Sequence, residues 1–190
     1  MQKFKLCMLG EMGVGKTCIV KRYLNHVFDS NTHDTVGCDF LTKVCQIGKK
    51  KIELSVWDTA GSEKFRSMLN MYYRNISSCM IVYDITSRLS FEKVEEWYNT
   101  VQKENDMNNE KHVIVMIVAA KIDLAAKREV TKVEGENLAQ RLGCLFTEVT
   151  SVSGDTVEVA FQFILDNLDL SVVPEEPQES PDFSEQSSCC

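Results

Sequence analysis

The sequence GEMGVGKT occupies residues 10–17 and says more about the fold than any other part of the chain. It follows directly on a strand-like run at 3–9 and leads into a helical pattern at 16–25. Its spacing matches G-x-x-x-x-G-K-[ST], in which glycines let backbone N–H groups wrap a phosphate chain at the positive end of the next helix. It therefore predicts a site for a nucleoside triphosphate, without specifying the base.

The side chains of this loop also suit phosphate binding. Lys16 would supply a point charge for the β and γ phosphates, and the hydroxyl of Thr17 would ligate Mg²⁺. A chance glycine-rich turn is the competing interpretation, and the strand before the loop and the helix after it argue against that. The predicted nucleotide contacts in the loop come from Gly10, Gly13, Val14, Gly15, Lys16, Thr17 and Cys18.

Strand-like runs alternate with helical patterns along the rest of the chain. Only the turn GKK at 48–50 separates the second and third runs, which predicts an antiparallel hairpin, while the other connections are long enough for helical crossovers. We expect an α/β fold of the P-loop NTPase type, a six-stranded, mostly parallel sheet with one antiparallel edge hairpin and helices on both faces. Strands are predicted at 3–9, 40–47, 51–57, 79–85, 113–120 and 145–149, and helices at 16–25, 67–75, 89–104, 132–142 and 154–168.

Length and composition indicate one domain with a short appendage. A chain of 190 residues that is 44% hydrophobic can bury a sizeable core, and we predict a nucleotide-binding domain over residues 1–170. Residues 171–190 hold five acids and no base, which leaves about −2 of the formal charge of −7 on the rest of the chain. This segment predicts a disordered acidic tail, and the charge balance gives no indication of nucleic-acid binding.

Eight cysteines could suggest a disulfide framework, but six of them are scattered as single residues in apolar or strand-like segments. This pattern indicates buried thiols in a reducing compartment. The apolar run at the N-terminus is too short for a signal peptide, and no stretch approaches the ~18 apolar residues of a spanning helix. We therefore expect a protein that is made and kept in the cytosol.

The loop AAKIDL at 119–124 follows the fifth predicted strand and indicates which base is bound. Asp123 is placed to accept hydrogen bonds from N1–H and the exocyclic amine of guanine, a pair that adenine does not offer. Lys121 would lay its aliphatic stem along the purine face. Taken alone, K-x-D is a weak signal that also fits a solvated loop, but at this interval after a phosphate loop it favours guanine.

These motifs, taken together, resemble the Ras superfamily of small GTPases and, within it, the Rab branch, over roughly residues 3–169. The resemblance implies GTP or GDP and Mg²⁺ as ligands, and hydrolysis of GTP to GDP and phosphate. The superfamily motifs are GEMGVGKT, Thr35 in TVGCDF, WDTAGSEKF, K-x-D and EVTSVSG; those typical of Rab proteins are TVGCDF, KFRSM, YYRNI, VYDITSRLSF and the terminal Cys-Cys.

The same resemblance implies roles for residues outside the phosphate loop. Thr35 would close the first switch over the nucleotide and bind Mg²⁺, Asp58 would hold the metal through water, and the Gly61 amide would touch the γ-phosphate. The implied catalytic set is Ser62, Gly61, Lys16 and Thr35, and the further contacts near the base are Phe28, Thr150, Ser151 and Val152.

Partners and location also follow from the resemblance. Phe40, Trp57 and Tyr72 would belong to a surface that changes on hydrolysis, although ordinary core packing explains Trp57 and Tyr72 about equally well. We expect a monomer that meets an exchange factor, a GTPase-activating protein, a GDP-dissociation inhibitor and effectors of vesicle trafficking. Lipids on Cys189 and Cys190 would anchor it to the cytoplasmic face of an intracellular membrane, from which it cycles to the cytosol.

Four positions depart from the family pattern. Ser62 replaces a glutamine that orients the attacking water and falls two carbons short of its reach, which predicts hydrolysis at or below roughly 10⁻⁴ per second. Met12 would crowd an incoming arginine finger. Ala120 lacks the amide of an asparagine that would tie this loop to the phosphate loop, at a cost of ~1 to 3 kcal/mol and with faster exchange. Val152 replaces a lysine near the base.

Three functions fit these observations. A slow switch biased toward its GTP state leads, because slow hydrolysis and fast exchange both favour GTP. A binding module that holds GTP, turns it over negligibly and acts as a scaffold is the alternative, supported by Ser62, Met12 and Ala120. A P-loop kinase is a remote third, since it would need a lid and an acceptor site that the sequence does not show.

Overall fold

The computed structural model describes residues 1–28, 38–59, 75–107 and 113–171. Its centre is a six-stranded sheet in the order β2-β3-β1-β4-β5-β6. The pair β2 and β3 is antiparallel and the other four pairs are parallel, which confirms the predicted fold class. The strands are β1 Gln2–Leu9, β2 Cys38–Ile47, β3 Lys50–Thr59, β4 Ser78–Asp84, β5 Ile114–Ala120 and β6 Leu145–Glu148.

Helices follow most strands, close to where the sequence predicts them. They are α1 Lys16–Asn25, α2 Arg88–Glu92, α3 Val94–Met107, α4 Lys132–Leu142 and α5 Asp155–Asp166, with a 3-10 helix at Ile122–Lys127. The helix predicted at 67–75 lies outside the described residues except for Asn75. The sequence did not predict the 3-10 helix.

The single helix predicted at 89–104 is wrong, because the structure divides it at Lys93 into α2 and α3. Ser87 caps α2 by accepting a hydrogen bond from the Ser90 N–H. The hydroxyl of Ser90 donates to the Ser87 carbonyl at 2.8 Å and accepts the Asp84 N–H at 3.0 Å. These bonds hold α2 against the end of β4, and they are not visible in a helical periodicity.

The strands β1, β4 and β5 are buried on both faces, as expected for parallel strands between helices. One apolar cluster joins the sheet to α1 and α5, where the rings of Tyr23 and Phe161 stack with centroids 3.6 Å apart. The other joins it to α3 and α4 through Trp97, Val101 and Leu138. This packing fixes the carboxyl ends of the parallel strands, where a ligand site is expected.

The six cysteines of the described part are all free thiols. Cys7, Cys45 and Cys79 are buried, as predicted, whereas Cys18, Cys38 and Cys144 are partly exposed. Burial is the main cause that raises the pKa of Cys7 to about 12. Within the same residues, no helix combines the length and apolar character needed to cross a bilayer. The proposed tail lies almost wholly outside the described residues, so the boundary at 170 stays a prediction.

Candidate nucleotide-binding site

The phosphate loop joins β1 to α1 and begins with a glycine that no other residue could replace without strain. Gly10 has φ of 130°, and a Cβ there would collide with the carbonyl oxygen of Val82 in the neighbouring strand. Gly15, which caps the N-terminus of α1, has φ of 104°. Both conformations favour glycine. The loop is thus pressed against the sheet and can turn its amides toward a ligand.

Lys16 is placed inside the loop that its motif predicts. Its side chain is 5% exposed, and Nζ donates to the carbonyls of Gly10 at 2.7 Å and Glu11 at 2.8 Å. These bonds hold a positive charge next to the loop amides and the N-terminus of α1. Charge and helix dipole together favour an anion at this position.

Thr17 and Asp58 come together from distant parts of the chain. The hydroxyl of Thr17, in the first turn of α1, donates to Oδ2 of Asp58 near the end of β3 at 2.6 Å. Asp58 is 1% exposed, and burial is the main cause that raises its pKa. Among the described residues, no group donates a hydrogen bond to its other oxygen, Oδ1.

An orphaned carboxylate oxygen in a buried position is costly unless a cation or water satisfies it. Mg²⁺ prefers oxygen ligands, keeps several waters and is commonly held by one carboxylate, a hydroxyl and substrate phosphates. The hydroxyl of Thr17 and the carboxylate of Asp58 therefore fit the predicted metal. Thr35, the third predicted metal residue, lies outside the described residues.

The loop after β5 is joined to the phosphate loop by Lys121. This residue has a left-handed backbone, with φ of 65°. Its Nζ donates to the carbonyl of Gly13 at 2.7 Å and forms an ion pair with Oδ2 of Asp84 at 2.6 Å. Lys121 therefore joins the two loops, while the predicted loss of an asparagine amide at Ala120 stays a prediction.

Asp123 is oriented by the loop that follows β6. The hydroxyl of Thr150 donates to Oδ1 of Asp123 at 2.6 Å and accepts the Val152 N–H at 3.1 Å. The Thr150 N–H in turn donates to the hydroxyl of Thr156 at 2.9 Å. A carboxylate with a fixed orientation can read the two neighbouring donors of guanine.

The geometry thus combines a phosphate loop, a buried oxygen pair and an oriented aspartate at one edge of the sheet. A model of the Ras family matches residues 5–169, which run from β1 to beyond α5. This chain belongs to the Ras family. Ras-family proteins are GTP-binding switches that bind GTP or GDP with Mg²⁺ and hydrolyse GTP.

Other predicted residues of this Ras-family site fall into two groups. Phe28, expected to stack on the guanine edge, follows α1 and is exposed, and Met12 in the phosphate loop is 60% exposed. The remaining predicted positions, Thr35, Gly61, Ser62, Tyr72, Cys189 and Cys190, lie outside the described residues.

Two members of the predicted aromatic surface lie together on the antiparallel hairpin of this Ras-family chain. The rings of Phe40 and Trp57 are tilted against each other with centroids 4.9 Å apart. Phe40 is 53% exposed, and Trp57 is partly buried with the Lys5 ammonium 4.4 Å from its ring centroid. Phe40 therefore lies at the surface, whereas Trp57 also packs against the core cluster that contains Trp97.

Sequence reasoning missed four residues that shape the site of this Ras-family protein. Asp84 holds Lys121, and the indole of Trp97 donates to Oε1 of Glu11 in the phosphate loop at 2.9 Å. Arg22 of α1 donates to the Val152 carbonyl at 2.6 Å. Of these residues, only Asp84 could have been found from the sequence, because it is a carboxylate at the carboxyl end of a predicted buried strand, where ligand sites lie.

Proposed function

We propose that this chain is a Rab-type GTP-binding switch with slow intrinsic hydrolysis, which regulates membrane trafficking by recruiting effectors. The observation that carries the proposal is the contact between Thr17 and Asp58, with one buried Asp58 oxygen left for a cation. The Rab type rests on motifs of the sequence, including VYDITSRLSF at 82–91 and YYRNI at 72–76.

Different residues of the described part would bind the phosphates, the metal and the guanine. Lys16 and the loop amides hold the phosphates, and Thr17 and Asp58 position the oxygen ligands of the metal. When bound, Mg²⁺ neutralises charge on the β and γ phosphates. Asp123, fixed by Thr150, selects guanine. Together these groups align and retain the nucleotide.

Slow hydrolysis follows from Ser62, since a short hydroxyl does not reach the position from which an amide would orient the attacking water. The exposed side chain of Met12 supports the proposal that an arginine supplied by an activating protein is also hindered. A switch with both features stays in its GTP state for longer. The loss of an amide at Ala120 would add faster exchange to this bias, while Lys121 still joins the two loops.

A GTP-holding scaffold is the second candidate, and Ser62 is the feature that favours it. The two functions share the same binding site and differ only in turnover. The partners in both cases would be effectors, and the switch would add an exchange factor, a GTPase-activating protein and a GDP-dissociation inhibitor. Lipids on Cys189 and Cys190 would place either one on the cytoplasmic face of an intracellular membrane, cycling with the cytosol.

Single-turnover hydrolysis separates these two candidates. GTP-loaded wild-type protein is compared with Ser62→Gln and the matched control Ser62→Ala in Mg²⁺, with bound GTP and GDP quantified over time. We expect Ser62→Gln to accelerate hydrolysis several-fold and Ser62→Ala to stay at the slow wild-type rate. A wild-type rate well above roughly 10⁻⁴ per second would contradict slow hydrolysis. Negligible turnover in all three would favour the scaffold.

A further inference from the structure

Asp84 lies at the carboxyl end of β4, next to the loop that reads the base. Its register partner in the parallel strand β5 is Ala120. The Asp84 side chain is largely buried, yet its carboxylate is part of no described phosphate, metal or guanine contact. A buried charge needs partners that satisfy both oxygens.

One oxygen of this carboxylate is fixed locally. Oδ1 accepts hydrogen bonds from the Thr86 N–H at 2.8 Å and from the Thr86 hydroxyl at 2.7 Å. The backbone of Asp84 is held as well, since its N–H donates to the Ser90 hydroxyl at 3.0 Å. These contacts determine the direction of the second oxygen before any ligand arrives.

The second oxygen, Oδ2, is directed at Lys121. The ammonium of Lys121 lies 2.6 Å from Oδ2 and 2.7 Å from the carbonyl oxygen of Gly13, and therefore bridges β4 and the phosphate loop. Burial alone would raise the pKa of Asp84, but the bonds from Lys121 and Thr86 hold it below its usual value. The carboxylate is thus a stable anionic partner at neutral pH.

A lysine on a loop has many conformations and rarely keeps one without a fixed partner. Lys121 is also in the left-handed region, which is unfavourable for a residue with a Cβ. Its two contacts, with Asp84 and with the Gly13 carbonyl, explain why it stays in place. The contact to Gly13 joins the two nucleotide loops, and Asp84 directs Lys121 toward that contact.

We propose that Asp84 is a positioning residue for nucleotide retention, which holds Lys121 against the Gly13 carbonyl and so makes the loop-to-loop connection that Ala120 does not. This inference rests on the proposed function, because it concerns retention of a guanine nucleotide. Asp84 acts through Lys121 and does not touch the nucleotide itself. Retention then depends on the pair, and the two side chains are energetically coupled.

The test measures release of bound GDP in Mg²⁺ after addition of excess unlabelled GDP. The variants are Asp84→Asn, which keeps shape and removes charge, Lys121→Met, which keeps an apolar stem and removes the ammonium, and the double variant. We expect each single variant to accelerate release about tenfold, equivalent to ~1.4 kcal/mol, and the double variant to be no faster than Lys121→Met. The association rate should not change.

Two further variants complete the test. Thr86→Val removes one of the two Thr86 hydrogen bonds to the Asp84 carboxylate. We expect it to accelerate GDP release, by less than Asp84→Asn does. It replaces Asp84→Asn as the test if that variant folds poorly. Glu95→Gln, which breaks an exposed ion pair with Arg141, is the matched control and should release GDP at the wild-type rate.

The outcomes distinguish this inference from the function on which it rests. Wild-type protein that binds no guanine nucleotide would overturn both. Binding with unchanged release from Asp84→Asn, or with multiplicative effects in the double variant, would overturn the role of Asp84 alone. A general loss of structure would slow association too, whereas a positioning role is confined to dissociation and to the coupling with Lys121.

Discussion

The indole N–H of Trp97 donates a hydrogen bond to Oε1 of Glu11 at 2.9 Å, and so links the first turn of α3 to the phosphate loop. Trp97 is almost fully buried in the cluster between the sheet and α3 and α4. The phosphate loop is therefore connected to the core of the face opposite α1. The position of Glu11 depends on the packing of a helix that contributes no ligand to the nucleotide.

This link predicts different effects from two substitutions of Glu11. Glu11→Ala removes the acceptor of a hydrogen bond from a buried indole, and we expect stability to fall by about 1 to 3 kcal/mol and GDP release to become several-fold faster. Glu11→Gln keeps an oxygen at the same reach and should stay close to wild type. Urea unfolding and GDP release measure the two effects. Equal losses in both variants would show that charge, not the hydrogen bond, matters.

The contact between Thr17 and Asp58 predicts a metal-dependent defect. Thr17→Val keeps the shape of the side chain and removes the hydroxyl that donates to Asp58. We expect GDP release to accelerate by tenfold or more in Mg²⁺, because a metal ligand and a 2.6 Å hydrogen bond are lost together, at about 1.4 kcal/mol for each factor of ten. In excess EDTA, where only the hydrogen bond distinguishes the two proteins, the acceleration should be much smaller. A defect of the same size without metal would argue against metal ligation.

The surroundings of Gly10 and Gly48 predict that substitution by alanine destabilises the protein more at Gly10 than at Gly48. A Cβ at Gly10 would meet the Val82 carbonyl, whereas a Cβ at Gly48 in the hairpin turn would meet no atom within 4 Å. Both have positive φ, so both substitutions carry backbone strain. We expect Gly10→Ala to lower the free energy of unfolding by about 3 kcal/mol or more and Gly48→Ala by about 1 kcal/mol. Chemical denaturation would measure this, and equal losses would contradict the steric argument.

The hydrogen bonds of Glu134 at the N-terminus of α4 predict that the stability of the protein depends on pH. Hydrogen bonds from Arg88 first, and then from Thr131, lower the pKa of Glu134 to about 2. Because this pKa is depressed in the folded state, the contribution to stability is present above the unfolded pKa and is lost as pH falls from there through about 2. An NMR titration of the Glu134 carboxyl should show the low value. Arg88→Gln should move it toward the ordinary range, whereas Lys132→Gln, a neighbouring charge change, should leave it low.

Much of the fold could be predicted from sequence because its signals are local. The stretch at 10–17 predicts strand, loop and helix together, and the apolar runs of the central strands follow from burial on both faces. The break of α2 from α3 at Lys93 was missed, since it depends on bonds between Ser90 and the end of β4. Periodicity contains no information on such bonds.

The positions of site residues could be predicted from the sequence where a single motif contains them. Contacts between segments that are distant in the sequence could not be predicted. Lys16 and Thr17 were placed correctly by the motif that holds them. The contact of Lys121 with Gly13 spans 108 positions, and that of Trp97 with Glu11 spans 86. Such contacts follow from the strand order, which brings the ends of β1, β4 and β5 side by side.

The hairpin has a further effect on how this protein behaves at high concentration. Among the described residues, β2 is the terminal strand on one side of the sheet, and its Phe40 and Val44 side chains are 53% and 57% exposed. An apolar edge strand is a template for pairing with a strand of another molecule, and nearby lysines oppose such pairing by mutual repulsion. Lys49, Lys50 and Lys51 lie at the hairpin turn. High salt screens their charge, so solutions of this protein should self-associate more readily as ionic strength rises.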